Sequence, residues 1–194
     1  MKKVSVFSIM IVVALVVFVT SRSEAITIGF NPLSQVVSVG SPANVALEIS
    51  GLGNFAAPSL STFDLDIAFD SAILGLSAVT FVNQLDILGL GSIQSSTLGT
   101  GTVNLFELSL DSPEDLNSLQ ADSFVLAYLS FDTLAFGTSP LNLSINALGD
   151  AWGDPLVADI QSGSVSAVPE PSTLILVGSG LVGLGYLRKK FRRR

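Results

Sequence analysis

Between residues 26 and 168, apolar and polar positions alternate in short runs that are separated by Gly, Pro, Ser and Asn. The clearest run covers 62–70, where aromatic or aliphatic side chains alternate with aspartates. A period of two is typical of a strand with one buried face. Because the region shows no apolar stripe of helical period, the pattern predicts a single all-β domain over 26–167.

Eight further runs show the same alternation in weaker form and are also predicted to be strands. They cover 26–30, 35–39, 45–49, 74–81, 103–110, 124–131, 141–147 and 164–168. About nine short strands favour a sandwich of two sheets, because an outer-membrane barrel needs longer strands with sustained alternation. The segment 89–101 is rich in Gly, Ser and Thr and predicts a loop. The segment 111–120 predicts a short helix, with Ser112 as its N-cap and Pro113 at its first position.

The first 25 residues have the composition of a secretory signal peptide. Lys2 and Lys3 precede an apolar stretch at 4–19, and a Ser-x-Ala motif ends at Ala25. We therefore predict that 1–25 is removed by cleavage after Ala25. An uncleaved N-terminal anchor is the alternative, because the apolar stretch approaches the length of a membrane span. The sequence contains no cysteine, so the exported domain must be stabilised without disulfides.

The C-terminal residues have the composition of a membrane span followed by a stop signal. The segment 173–187 is apolar and uncharged, and we predict that it forms a transmembrane helix. Its length as a helix is about 22 Å, less than the roughly 30 Å of a hydrocarbon core, so basic flanking residues must reach the head groups. The predicted membrane-stop residues are Arg188, Lys189, Lys190, Arg192, Arg193 and Arg194. A Gly-x-Gly-x-x-Gly pattern at 178–183 is also typical of dinucleotide binding, but too few residues follow it for the required βαβ unit.

A proline-glutamate-proline tripeptide, Pro169, Glu170 and Pro171, precedes this span. With the apolar segment and the basic tail that follow, residues 168–194 resemble the PEP-CTERM sorting signal. The resemblance implies recognition by an exosortase, an integral membrane processing enzyme of Gram-negative bacteria that make exopolysaccharide. It also implies export across the inner membrane, transient anchoring there, and a final location at the cell surface or in the extracellular matrix. An ordinary single-span anchor is the alternative.

Basic residues are confined to the two ends of the chain. All nine Lys and Arg residues lie before residue 23 or after residue 187. Of the 16 acidic residues, all except Glu24 and Glu170 lie within 26–168, which gives this region a net charge of −14. It therefore forms no ion pairs between its side chains, and we predict that it binds no nucleic acid. We also predict stabilisation by salt, divalent cations or mild acid, because like charges oppose folding.

Catalytic residue types are scarce between 26 and 168. The region has no His, Cys or Lys, which excludes Ser-His-Asp triads, Cys-His pairs, zinc sites of His or Cys type and Schiff-base chemistry. Carboxylates remain, and Asp64 and Asp66 would stand about 6.6 Å apart on one strand face, at the short end of the range for an inverting glycosidase. An open sheet face has no cleft, and it has no environment that would raise the pKa of one carboxylate so that it could act as the general acid. We therefore predict a protein that is not an enzyme.

The acidic loop at 149–159 is the candidate for a metal site. Asp150, Asp154 and Asp159 supply the oxygen ligands that calcium prefers, but their spacing departs from that of the EF-hand loop. A turn with solvated aspartates is therefore favoured, and no cofactor is predicted apart from this calcium alternative. Trp152 lies in the same loop, where it would either stack on a sugar ring or cap the core of the sandwich. The core cap is favoured.

Three stretches of the exported region, 62–81, 124–137 and 141–168, resemble a cohesin domain through their strand pattern and their Phe-Asp-x-Asp and Gly-Asp-x-x-Gly-Asp phrases. The resemblance implies a nine-stranded jelly-roll sandwich used for binding, typically of a dockerin partner in polysaccharide-degrading assemblies. Certain carbohydrate-binding modules share that fold. The combined prediction is an exported, exosortase-processed surface or exopolysaccharide-matrix protein with a binding or structural module, whose partner is a polysaccharide or a dockerin-like protein. The alternatives are a carbohydrate-binding module and a carboxylate-dependent glycosidase of polysaccharide metabolism.

Overall fold

The computed structural model describes residues 25–169 together with 179 and 181. The range 25–169 contains eleven strands, one short helix, α1 (Pro113–Leu119), and a 3₁₀ turn at Asn83–Leu85. The strands are β1 (Thr27–Asn31), β2 (Ser34–Ser38), β3 (Pro42–Ser50), β4 (Leu60–Ala68), β5 (Leu74–Phe81), β6 (Ser92–Gly99), β7 (Thr102–Ser109), β8 (Phe124–Thr133), β9 (Gly137–Asp150), β10 (Asp159–Gln161) and β11 (Gly163–Val168). They form a five-stranded sheet in the order β10-β1-β3-β8-β5 and a six-stranded sheet in the order β2-β11-β9-β4-β7-β6.

Most neighbouring strands run antiparallel. Two pairs are parallel, β1 with β10 and β2 with β11, and they join the beginning of the domain to its end. Consecutive strands lie in different sheets at almost every step, with β6 and β7 as the exception. The chain therefore passes back and forth between the two layers, as in a jelly roll.

The core lies between the two sheets and is built from the inward positions of the alternating runs. On β4, Phe63, Leu65 and Ile67 are fully buried. They belong to one apolar cluster that also includes Leu47 on β3 and Leu129 on β8. Full burial of such a side chain contributes roughly 1.5–3 kcal/mol, so a large core can stabilise the domain without a disulfide.

The nine predicted runs all overlap observed strands. The loop predicted at 89–101 is wrong, because this segment contains β6. That strand forms an edge of the six-stranded sheet, and nearly all of its residues are exposed, so its sequence needs no apolar alternation. The three-residue strand β10 was also missed. The helix predicted at 111–120 is confirmed: Ser112 Oγ accepts a hydrogen bond from Asp115 N at 3.2 Å and caps α1.

The predicted terminal segments fall largely outside the described residues. These are the signal peptide up to residue 24, the predicted transmembrane helix at 173–187 apart from residues 179 and 181, and the membrane-stop residues that follow. Within the part of the chain that the structure describes, no helix has the length and apolar character needed to cross a membrane.

Candidate functional site

Asp64 and Asp66 lie on the outer face of the six-stranded sheet, because the intervening positions of β4 are buried. Pairing with β7 places Asn104 opposite Asp66. On the other side of β4, the ladder to β9 is interrupted by a β-bulge in which Asn146 is the extra residue. A bulge redirects a side chain, and here it brings Asn146 to the same two carboxylates. We name these four residues the acid–amide cluster.

Each amide of the acid–amide cluster bridges both carboxylates. Asn104 Nδ2 donates to Asp64 Oδ1 at 2.6 Å and to Asp66 Oδ1 at 2.8 Å. Asn146 Nδ2 donates to Asp64 Oδ1 at 3.1 Å and to Asp66 Oδ2 at 2.9 Å. The hydrogen bonds from Asn146 and then Asn104 lower the pKa of Asp66 below its usual value, because they stabilise the charged form. Asp66 therefore remains ionised at neutral pH.

The outward atoms of the acid–amide cluster are all acceptors. The amide nitrogens are used on the carboxylates, and no donor among the described residues reaches Asp64 Oδ2 or the side-chain oxygens of Asn104 and Asn146. A surface of this kind fits a group that donates several hydrogen bonds, above all a cationic one.

Uncharged side chains surround the acid–amide cluster on the same face. The residues paired with its members include Thr97 on β6, Ser144 on β9 and Phe106 on β7. Phe106 is half-buried, and Ile93 further along β6 is exposed. The face thus combines a negative centre with small hydroxyl side chains and an apolar margin, a composition that suits contact with another protein.

A further carboxylate, Glu107, lies on the inner face of the same sheet and was missed by the sequence analysis. It is 0% exposed. Its Oε1 accepts hydrogen bonds from Ser92 Oγ at 2.7 Å and Gln94 Nε2 at 2.8 Å, whereas its Oε2 has no partner among the described residues. Burial raises the pKa of Glu107, against the effect of these two bonds. Its position in phase with the buried Val103 and Leu105 was the signal that could have identified it.

The acidic loop after β9 does not bring its three aspartates together. Asp150 Oδ1 accepts hydrogen bonds from the backbone nitrogens of Trp152 and Asp154, both at 2.9 Å, and so shapes a turn. Asp159 lies further on, at the start of β10. No group of three acidic side chains in the described part of the chain is arranged to hold a metal ion. Trp152 is 62% exposed, so the predicted core cap is wrong: the turn carries the indole away from the core.

A polar groove of about 440 Å³ lies on the five-stranded sheet. Its floor is Gly29, which the strand register places between Glu48 on β3 and Gln161 on β10. A Cβ atom at position 29 would lie 2.7 Å from Gln161 Cβ, so the close approach of Gln161 requires glycine. Among the described residues that line the groove, Glu48 is the single carboxylate. The paired carboxylates lie on the other sheet, on an open face, so they do not form the cleft of a glycosidase.

The C-terminal end of the chain matches a known family. Residues 167–194 match the PEP-CTERM protein-sorting motif, a range that includes Pro169, Glu170 and Pro171. The motif marks a protein that is exported and processed at the membrane to become extracellular or surface-associated. No match to the curated proteins was found.

The sandwich is similar to solved cohesins. A non-cellulosomal cohesin from the archaeon Archaeoglobus fulgidus matches with a TM-score of 0.58 and 17% identity, over 77% of this chain and 96% of that one. The domain has the cohesin fold. The cohesin-fold domain is also similar to the sixth cohesin of scaffoldin B from Acetivibrio cellulolyticus, solved with a Cel5 dockerin, with a TM-score of 0.61, 17% identity and coverage of 75% of this chain and 100% of that one. The cohesin of a type I cohesin–dockerin complex from Clostridium thermocellum matches with a TM-score of 0.60, 13% identity and the same coverage.

Proposed function

We propose that this is an exosortase-processed protein of the cell surface or exopolysaccharide matrix, whose cohesin-fold domain binds another protein through the acid–amide cluster. The fold and the sorting motif point to a non-enzymatic binding or structural protein. The observation that carries the proposal is a pair of carboxylates bridged by two amides on an exposed sheet face, with acceptor atoms directed outward.

The terminal segments supply the route to the surface in this proposal. Residues 1–25 direct export and are removed after Ala25. The apolar segment 173–187 then holds the chain in the inner membrane, with the basic residues from Arg188 onward on the cytoplasmic side. An exosortase recognises Pro169, Glu170 and Pro171 and releases the domain from its anchor. The sorting-motif match over 167–194 supports this order of events.

The chemistry of the acid–amide cluster specifies the partner that we propose. Because its outward atoms accept hydrogen bonds and carry negative charge, a partner must supply donors, and Arg or Lys side chains supply donors with the opposite charge. The similar cohesins from Acetivibrio cellulolyticus and Clostridium thermocellum described above were solved in complexes with dockerins. We therefore favour a dockerin-like protein with a basic contact surface, which the net charge of −14 over 26–168 would also attract at a distance.

The double variant Asp64→Asn with Asp66→Asn tests this site, because it removes two charges with little change of shape. The mature protein is immobilised and incubated with the secreted proteins of its own host at low salt. We expect the native protein to retain a basic protein that elutes as salt is raised. The variant should bind that protein at least about tenfold more weakly, since a hydrogen bond to a charged group contributes roughly 1.5–3 kcal/mol.

A matched control removes two charges elsewhere. Asp122 and Asp132 are exposed, and they lie before and on β8 in the other sheet. The double variant Asp122→Asn with Asp132→Asn should retain the partner almost as well as the native protein. Equal loss in both double variants would show that net charge, and not the acid–amide cluster, governs binding.

The groove at Gly29 supports the carbohydrate-binding alternative. Glu48 and Gln161 form its polar walls, and Val125, which pairs with Glu48, lies on the same face of the sheet. A glycan array probed with the mature protein tests this function. Binding that is lost in Gln161→Ala, and kept in the double variant of the acid–amide cluster, would favour it over protein binding.

A further inference from the structure

The last strand of the sandwich, β11, ends directly before the proline-glutamate-proline tripeptide of the sorting motif. Val168 closes β11 opposite Ser38 of β2, and Val39 N donates a hydrogen bond to Val168 O at 2.9 Å. Pro169 follows immediately, and the predicted span begins at residue 173. The five residue steps from Val168 to residue 173 reach at most about 18 Å when the chain is fully extended. While the chain is anchored, this end of the sandwich must therefore lie close to the head-group layer, which is roughly 5–7 Å thick in each leaflet.

The same end of the sandwich exposes apolar side chains. The first residue of β9 pairs with Ala167, so the turn between β8 and β9 lies beside the end of β11. That turn carries Leu134, which is 58% exposed, and Phe136, which is 74% exposed. Val168 next to it is 39% exposed. We name Leu134, Phe136 and Val168 the apolar rim. Exposed apolar side chains on neighbouring segments at one end of a domain are typical of a surface that contacts a membrane or another protein.

The opposite end of the sandwich provides an internal comparison. It carries other exposed apolar side chains, Phe55, Trp152 and Val157. They follow the far ends of β3 and β9, and the nine residues of β3 separate the two ends by about 30 Å. A tether of about 18 Å brings the apolar rim to the membrane but leaves these side chains in water.

We propose that the apolar rim inserts into the lipid interface of the membrane while the chain is anchored, and so holds Pro169, Glu170 and Pro171 at the membrane surface for processing. This inference rests on the anchoring step of the proposed function. The lipid contact is apolar in origin, because the region 26–168 contains no basic residue that could attract an anionic head group. Asp70 and Asp132 lie on the segments next to the rim and favour zwitterionic over anionic lipid.

The absence of cysteine from the sequence makes site-specific labelling direct. Two variants of the anchored chain, Ala135→Cys within the turn and Val157→Cys at the opposite end, are labelled with a fluorophore that responds to polarity. Each chain is reconstituted into phosphatidylcholine vesicles that carry a nitroxide quencher at the head-group level. We expect a blue shift and quenching at position 135, and neither at position 157.

Substitutions in the rim and outside it complete the test. Leu134→Ser with Phe136→Ser should reduce quenching at position 135 severalfold, whereas Trp152→Ser should leave it unchanged. Replacing phosphatidylcholine by phosphatidylglycerol should weaken the quenching. A label at position 135 that stays as accessible to water as the one at 157 would overturn the proposal. So would quenching that appears only at high protein-to-lipid ratio, since that would indicate contact with a second copy of the chain.

Flotation of the vesicles separates this proposal from the one on which it rests. A chain that floats with the vesicles but keeps position 135 in water overturns the lipid contact alone. A chain that does not float with the vesicles overturns the anchoring step, and the lipid contact with it.

Discussion

Asp66 on β4 and Glu107 on β7 are carboxylates on neighbouring strands of one sheet, but they face opposite sides of it. Asp66 lies on the exposed face, where Asn146 and Asn104 lower its pKa. Glu107 lies opposite Phe63 inside the sandwich, and burial raises its pKa although two side chains donate hydrogen bonds to it. Both carboxylates accept good hydrogen bonds, so the access of water decides the direction of the shift. The exposed charge is available to a partner, whereas the buried carboxylate serves the structure.

The largest effect in this comparison is expected for Glu107→Ala. The change leaves the Ser92 hydroxyl and the Gln94 amide without their acceptor and opens space beneath β6. At acid pH, where Glu107 is protonated, we expect the free energy of unfolding to fall by roughly 2–3 kcal/mol, as measured by urea denaturation. Glu107→Gln keeps an acceptor in place and should stay within about 1 kcal/mol of the native protein. Equal stability of the alanine variant and the native protein would show that the hydrogen bonds from β6 to Glu107 do not stabilise the fold.

The pH dependence of stability should separate the two carboxylates. Because the pKa of Glu107 is higher in the folded protein, its contribution is fully present below its ordinary value of 4.5 and is lost as pH rises through the raised pKa. The contribution of Asp66 has the opposite sign: it is present above 3.8 and is lost as pH falls through its lowered pKa. Urea denaturation across pH should therefore show a maximum near these values. Glu107→Gln should make the decline on the alkaline side smaller, leaving the part caused by repulsion among the other carboxylates, and an unchanged decline would contradict the assignment.

A smaller effect is expected for Asn146→Ala, which removes one of the two bridging amides. The free energy of unfolding should decrease by about 0.5–1 kcal/mol, because the lost hydrogen bonds lie on an exposed face. The pKa of Asp66 should rise toward its ordinary value, which NMR titration of its carboxyl carbon would report. An unchanged Asp66 titration would mean that the bulge in β9 does not position Asn146 for this role.

The smallest effect on stability is expected for Asp64→Asn. This side chain is on the outer face, and the change keeps its size, so thermal denaturation should show a difference below about 0.5 kcal/mol. Binding of the basic partner that we propose should weaken nonetheless. A large loss of stability would instead assign Asp64 a structural role like that of Glu107.

The sequence predicted the parts of the fold in which burial differs between the two faces of a strand. The run 62–70 alternates because β4 has one face in the core and one on the surface, and this also placed Asp64 and Asp66 on one face. The edge strand β6 has no such contrast, so 89–101 was misread as a loop. A strand that is exposed on both faces does not need alternating apolar and polar residues, so its sequence does not show a period of two.

The candidate site was predictable only in part. Asn146 joins the acid–amide cluster through a β-bulge, which shifts the strand period by one residue. The alternation of apolar and polar residues therefore cannot predict this contact. Trp152 is predicted to cap the core, but the turn built on Asp150 leaves its indole exposed. Such contacts depend on pairing between distant strands and on the local geometry of turns.

Mass spectrometry of the mature protein from its native host tests the central claim most directly, because it reports both ends of the chain in one measurement. We predict an N-terminus at Ile26, and a C-terminus at or near Pro169, Glu170 and Pro171 in a product found at the cell surface or in the matrix. An intact chain in the cytosol that retains Met1 and Arg194 would contradict the account.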